Sequence, residues 1–465
     1  MMKSINDIKR IYFIGIGGIG MSALARYFNS LGKFVSGYDK TETKLTLQLA
    51  GEGIDVHYTD DVSLADKEAD IVVYTPAIPA SHKELEYFRS QGKPVLKRSD
   101  VLSIITKDTM NICVAGTHGK TTISSMIAHL LRATGYGCNA FLGGIAVNYD
   151  SNYWSSDRAV CVVEADEYDR SFLKLNPDIA VISAMDADHL DIYGTEDVMQ
   201  DAFVEFTRCI RPNGMLLHKY GLPRSAEFDV NRCYSYSFDN SSASAYAIDV
   251  QMQEGSYHFD VMTHHGLLKD LTLNMGGLHN VENMVVAVSI ANELGIDHSL
   301  IRDAVRSYRG VKRRFEYVIK GRADTGPVFI DDYAHHPEEL RALIMGAKTL
   351  FPALSCTVFF QPHLFTRTRD LAEGFANSLD LSDNVVLLPI YPARELPIEG
   401  VSSNMILERM KNENRKLVEK NNVVRYVDQM LQARGVKGQL IISAGAGDID
   451  TLVQPIREVI EKHNG

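Results

Sequence analysis

The stretch NICVAGTHGKTTISSMIAHLLRATG, residues 111–135, constrains the fold of this 465-residue chain more than any other. An apolar run of strand composition leads into a glycine-rich turn, which opens directly into a helical pattern. That order is the βα start of a parallel sheet carrying a phosphate-binding loop. The loop lacks the commonest form, Gly, four residues, then Gly-Lys-Ser/Thr: counting back from Gly119, the first glycine would fall on Val114. A shorter loop is complete, namely Gly116, Thr117, His118, Gly119, Lys120, Thr121 and Thr122. Its backbone N–H groups can cradle phosphate oxygens, Lys120 can reach the β- and γ-phosphates, and the Thr121 hydroxyl can hold Mg²⁺.

Two other segments repeat the βα signature, IYFIGIGGIGMSALARYFNSLG (11–32) and PVFIDDYAHHPEELRALIMGAKTLF (327–351). A chain of this length exceeds one hydrophobic core. Breaks near 107 (ITKDTM) and 312 (RGVKRRFEY) predict domains over 1–107, 108–312 and 313–465. The expected class is α/β with three domains. The N-terminal domain is Rossmann-like, the central one a P-loop ATPase-type sheet with added antiparallel strands, and the C-terminal one Rossmann-like. The antiparallel strands are expected over 233–275, where apolar and polar residues alternate around QEGS and HHG.

A formal charge of −11 argues against a nucleic-acid partner. The N-terminus has no long apolar run before a small-residue cleavage site, and no window approaches the ~20 apolar residues of a spanning helix. A cytoplasmic protein without membrane insertion is expected, monomeric or weakly homodimeric. Six cysteines without a C-x-x-C pair read as reduced thiols.

Gly15, Gly17, Gly18 and Gly20 form a second glycine loop after the run IYFI, and Asp39 ends the next apolar run. This is the context of the dinucleotide fingerprint, with a helix N-terminus facing a pyrophosphate. A nucleotide-sugar diphosphate satisfies the same physics, so an NAD-dependent dehydrogenase and a nucleotide-sugar enzyme both stay open. The run AVCVVEADEYDRSF ends in Glu164, Asp166, Glu167 and Asp169, and DIAVISAMDADHLDIYG ends in Asp186, Asp188, His189 and Asp191. Three strand ends would thus bring Thr121, Glu164 and His189 towards one point, where they can bind Mg²⁺.

Together with GGLHNVENMVVAV (276–288), RRFE (313–316), DDYAHHPEEL (331–340), FQPHLFTRTRDL (360–371) and GAGDI (445–449), these segments resemble the Mur ligase family. That family comprises ATP-dependent amide-forming enzymes of peptidoglycan precursor synthesis, and its loop has the form G-T-x-G-K-[ST]. Within it, GIGGIGMSALA, EADEYDRSF and FQPHLFTRTR look like the members that attach L-alanine to UDP-N-acetylmuramate. The resemblance implies that the Gly15–Gly20 loop holds the UDP diphosphate and that Lys120 contacts ATP. It places Thr121 and Glu164 on one Mg²⁺ and His189 on a second. It puts His279 and Asn283 at the adenine, and Arg314 and Asp332 at nucleotide phosphate and ribose. Tyr333, His335, His363 and Arg367 would surround the amino acid, with Arg367 at its carboxylate and His335 the candidate base.

A metal-bridging lysine found after the DH motif in several family members is absent from LDIYGTEDVMQDAFVEFTRCI, in keeping with the alanine-adding members. Position 364, often basic in those members, is Leu364. A ligase that recycles a whole tripeptide onto the same sugar nucleotide is the alternative within the family.

Overall fold

The structure is a computed structural model that describes residues 7–186, 190–393 and 395–464. Its contacts gather into two compact units. One comprises Met1–Tyr246, Val261–Leu268 and Glu282–Ala304, and the other Ala247–Asp260, Lys269–Val281 and Val305–Gly465.

In the first unit, the strand RIYFI (Arg10–Ile14) is central in a five-stranded sheet. Phe34–Tyr38 and then Asp55–His57 lie on one side, Ile71–Tyr74 and then Val95–Lys97 on the other, all in parallel register. The order reverses at Arg10–Ile14, so the glycine loop that follows it opens at a topological switch point, where open α/β sheets bind ligands. The strand is buried because helices cover both faces, and its near-continuous apolar run follows from that.

A ten-stranded sheet runs in the order Gly266–Leu273, Ser256–Thr263, Ala245–Gln253, Arg232–Ser237, Met215–Lys219, Ile179–Ile182, Met110–Ala115, Val160–Glu164, Asn139–Ala146, Ser151–Trp154. Met110–Ala115 is a second switch point. Its neighbours on the two sides are Val160–Glu164 and Ile179–Ile182, both parallel, with Val114 opposite Glu164 and Ala115 opposite Ile182. The helix Lys120–Ala133 that follows is buried from Thr121 to Leu131. The antiparallel region is narrower than the alternation over 233–275 predicts. Arg232–Ser237 pairs in parallel with Met215–Lys219 and with the start of Ala245–Gln253. Of the strands over 232–273, Ala245–Gln253, Ser256–Thr263 and Gly266–Leu273 form the meander, because two-residue connections permit no crossover. Alternation marks one wetted face and does not report strand direction, hence the difference.

In the second unit, a six-stranded sheet runs Glu316–Arg322, Gly326–Asp332, Gln439–Ala444, Ser355–Phe360, Asn384–Leu387, Arg415–Leu417. It is parallel except for its edge strand Glu316–Arg322, which turns back through three residues onto Gly326–Asp332. Phe329, Phe359, Ile441, Ile456 and Ile460 belong to its buried core.

Candidate active site

The loop at 116–122 is shaped by its neighbours on both sides. Gly116 has φ +131°, and a Cβ there would come within 2.8 Å of the Ala184 nitrogen. Gly119 has φ +82° and caps the helix. Glycine is required at both, since a left-handed φ strains any other residue. On one side the Ser183 hydroxyl donates to the His118 carbonyl, and Thr117 N donates to Ala184 O at 3.1 Å. The loop then runs into the uncapped N-terminus of Lys120–Ala133, whose first N–H groups make an anion-binding arrangement.

On the other side stands the end of Val160–Glu164. Thr121 Oγ1 donates to Glu164 Oε1 at 2.8 Å, and Gly143 N donates to Glu164 Oε2 at 2.7 Å. Hydroxyl and carboxylate oxygens held together in this way are hard donors that fit Mg²⁺. Lys120 Nζ donates to the Gly116 carbonyl and to Glu167 Oε1, each at 2.7 Å. The Glu167 carboxylate is wholly buried. Burial pushes its pKa up, while the Lys120 charge beside it pulls it down. Tyr193 donates to the Glu167 carbonyl at 2.6 Å and holds that turn in place.

The four acids Glu164, Asp166, Glu167 and Asp169 therefore divide by role. Glu164 and Glu167 face the loop. Asp166 pairs with Arg98 at 3.5 Å, and Asp169 with Lys97 at 2.8 Å. Asp186 lies 3.8 Å from the exposed His118 ring. Asp188 and His189 lie outside the described residues. Asn283 Oδ1 is 3.4 Å from where a Gly119 side chain would begin, so it borders the loop.

In the first glycine loop, Gly15 has φ +88° and its nitrogen donates to Tyr38 O at 2.8 Å. Gly17 N donates to Asp39 Oδ2 at 2.8 Å, and Thr41 N to Asp39 Oδ1 at 3.2 Å. A Cβ on Gly17 would lie 2.8 Å from that carboxylate, and one on Gly20 would lie 2.7 Å from Arg98 Nη1. The acid that a dinucleotide enzyme aims at a ribose is here taken up in shaping the loop. Gly18 is the N-cap of Ile19–Ser30 and has no side-chain cap, which leaves that helix N-terminus open to an anion.

The second unit holds the remaining candidates. Both Asp332 oxygens accept backbone N–H groups, from Phe315 and from Ala334, each at 2.7 Å, and burial pushes its pKa up to about 6. Arg314 is exposed. The neighbouring Arg313 is built in: it donates to Gly445 O and lies over the Tyr333 ring at 4.9 Å. His335 Nδ1 is 3.0 Å from Tyr333 O, and its ring is 6.4 Å from His363. His336 is the N-cap of Pro337–Leu350 in a capping box with Glu339, and so belongs to the helix start. The His279 ring folds over Gly277.

His363 stacks on Tyr391 at 5.8 Å, and burial followed by the Arg367 charge lowers its pKa. Buried His363 Nδ1 and Arg367 Nη1 have no hydrogen-bond partner among the described residues. Such atoms are costly to leave unmet, and a small ligand with a carboxylate would satisfy the arginine. Leu364, between them, has φ +70°, strain of a kind that gathers at ligand sites.

Comparison with known proteins bears on all of this. Models of the Mur ligase family match three stretches: its catalytic domain over residues 10–109, its middle domain over 114–291, and its glutamate ligase domain over 313–447. A UDP-N-acetylmuramate–L-alanine ligase of Flavobacterium johnsoniae is 45% identical over 99% of this chain and 100% of its own. The chain belongs to the Mur ligase family. A second such ligase, from Porphyromonas gingivalis, is 46% identical over 98% of this chain and 99% of its own. The crystal structure of the Thermotoga maritima UDP-N-acetylmuramate–alanine ligase matches at a TM-score of 0.81, with 27% identity, 97% coverage of this chain and 99% of that one. A murein peptide ligase of Psychrobacter arcticus shares the fold at a TM-score of 0.65 and 20% identity, over 97% of this chain and 98% of that one. Membership in a ligase family removes the dehydrogenase reading of the first glycine loop, and the Asp39 geometry gives the physical reason.

Sequence reasoning left three residues of this Mur ligase without a role. Glu167 was visible as an acid three positions after Glu164, but nothing in the spacing says that it pairs with Lys120. Arg98 and Gly143 carry no local signal, since each meets its partner through the fold.

Proposed function

We propose that this chain joins L-alanine to the lactyl carboxylate of UDP-N-acetylmuramate, an early step of peptidoglycan precursor synthesis, at the expense of ATP. The observation that carries the reading is full-length similarity, 45% and 46% identical, to relatives named for that reaction. The loop geometry supports the ATP half. The sheet, loop and helix order is compatible with domains over 1–107, 108–312 and 313–465, the first for the UDP-sugar, the second for ATP and the third for the amino acid.

A carboxylate is a poor electrophile and must first be activated. Its oxygen attacks the γ-phosphorus, an O–P bond forms, the bridging P–O bond breaks, and ADP leaves. The alanine amine, having lost a proton, attacks the acyl carbon of the resulting acyl phosphate. The C–N bond forms and phosphate departs with the C–O electron pair. Such transfers depend on placement and charge neutralisation. Lys120 would hold phosphate oxygens through the N–H that Gly116 and Glu167 leave over. Mg²⁺ would supply neutralising charge on the phosphates, with Thr121 and Glu164 the proposed ligands of one ion and His189 of a second. The Gly15–Gly20 loop would hold the UDP diphosphate, and Asn283 and His279 the adenine. Arg367 would take the alanine carboxylate, with Tyr333, His335 and His363 around the amine and His335 accepting its proton.

The test is phosphate release from ATP with purified protein. Release is expected only when UDP-N-acetylmuramate and L-alanine are both present; release with tripeptide in preference to alanine would favour the recycling reaction instead.

A further inference from the structure

Among the described residues, one cluster outside the loops above gathers metal-binding side chains. His264, His265 and Glu293 each offer a ligand atom, and these atoms lie within 4.8 Å of one another. All three belong to the first unit. The two histidines form the two-residue turn between Ser256–Thr263 and Gly266–Leu273, and Glu293 ends the helix Leu278–Glu293. Successive strand residues point to opposite faces, but at a tight turn they need not. Here both rings swing to one side, their centroids 4.1 Å apart. Nε2 of His264 is 3.0 Å from Glu293 Oε2, and Nε2 of His265 is 2.9 Å from the same oxygen.

The surroundings fix two of the three ligands. His264 stacks flat on Tyr234, at 4.1 Å and 15°. Arg232 donates to Glu293 Oε1 at 2.5 Å, which fixes the plane of the carboxylate and leaves Oε2 to the rings. A carboxylate at a helix C-terminus is disfavoured by the helix dipole, so this position calls for cations. His265 is 46% exposed, which gives the cluster a side open to solvent.

We propose that His264, His265 and Glu293 form a binding site for a divalent transition metal of imidazole-preferring type, with Zn²⁺ the leading case. Two imidazoles and one carboxylate with an open fourth position are a recurrent Zn²⁺ ligand set. Bonds of about 2.0–2.1 Å in tetrahedral geometry separate ligand atoms by about 3.3 Å. Each Nε2 therefore needs to move only a few tenths of an ångström away from Oε2, and all three atoms already lie within 4.8 Å of one another. The Arg232 charge tempers the affinity without occupying a ligand position. Bound metal would pin the hairpin turn to the end of the helix that carries Asn283. Mg²⁺, which takes oxygen ligands, would not compete for it.

The test uses the full chain stripped of metal, with Co²⁺ as the spectroscopic probe and Zn²⁺ as the competitor. The enzyme's own phosphate site is a second place for such ions, so variants separate the two. A visible Co²⁺ band displaced by Zn²⁺ is expected in the wild type and in Glu164→Gln. His265→Gln, at an exposed position that tolerates the change, should weaken Zn²⁺ at least tenfold, and His264→Gln likewise. Zn²⁺ should also raise the melting temperature of the wild type and not of His265→Gln. Unchanged Zn²⁺ affinity in both histidine variants, loss of the band in Glu164→Gln alone, or no binding by the wild type would each overturn the proposal.

Discussion

Replacing Lys120 by methionine keeps the bulk of the side chain and removes its charge, and the first consequence falls on Glu167. The pair lies at 2.7 Å, with the carboxylate fully buried and Lys120 only 15% exposed. Breaking such a pair from one side costs about 3–5 kcal/mol, because a buried charge is left uncompensated. The cost depends on pH. Burial already holds the Glu167 pKa up, and Lys120 is the main influence drawing it down. In the variant the folded-state pKa lies well above the unfolded value of ~4.3. The folded state then binds the proton more tightly, so the variant loses no stability below the unfolded pKa. Stability falls as pH rises, by about 1.4 kcal/mol per unit, until the folded pKa is passed. Urea midpoints at pH 5 and pH 8 measure it: Lys120→Met should approach the wild type at pH 5 and fall well below it at pH 8. Lys120→Met/Glu167→Gln should regain most of the loss at pH 8, with ligase activity still absent. Equal destabilisation at both pH values, or no recovery in the double variant, refutes the reasoning.

Arg367→Ala should raise the KM for alanine by ~10²-fold, the worth of a charge-assisted hydrogen bond of about 2–3 kcal/mol, with little change in the KM for ATP; steady-state kinetics over both substrates checks it. Gly116→Ala combines the left-handed φ of +131° with a Cβ 2.8 Å from the Ala184 nitrogen, and should cost more than ~2 kcal/mol and abolish ATP binding, read by calorimetry. Glu84, fully buried and bonded to Tyr12 at 2.6 Å, has its pKa pushed up to about 7 by burial. Its raised pKa favours the folded state below about pH 4 and the benefit fades as pH rises to 7, so Glu84→Gln should flatten the stability profile across that window. Leu364→Gly should relieve the strain of the φ of +70° and raise the melting temperature slightly, read by calorimetry.

The parallel sheets were legible because strand, glycine loop and helix follow one another in sequence, so 10–32 and 110–133 declared themselves locally. The pairing of Thr121 with Glu164 was also legible, since adjacent parallel strands deliver their ends to one place. Direction was harder to read. Arg232–Ser237 alternates like an antiparallel strand and pairs in parallel, because alternation reports burial of one face. Residues that meet only through tertiary contact left no trace in the spacing. Glu167 beneath Lys120, Gly143 on Glu164, and Arg98 beside Gly20 are the examples. Asp39 shows the reverse case: its position fits a ribose-binding acid, and only the bond from Gly17 N shows what it does.

Phosphate release from ATP by the purified chain, with each substrate omitted in turn, is the most direct test of the ligase reaction. The prediction is stoichiometric formation of ADP, phosphate and an alanyl amide only when UDP-N-acetylmuramate and L-alanine are present together. Release that proceeds without either substrate, or an amide formed from tripeptide but not from alanine, would contradict it.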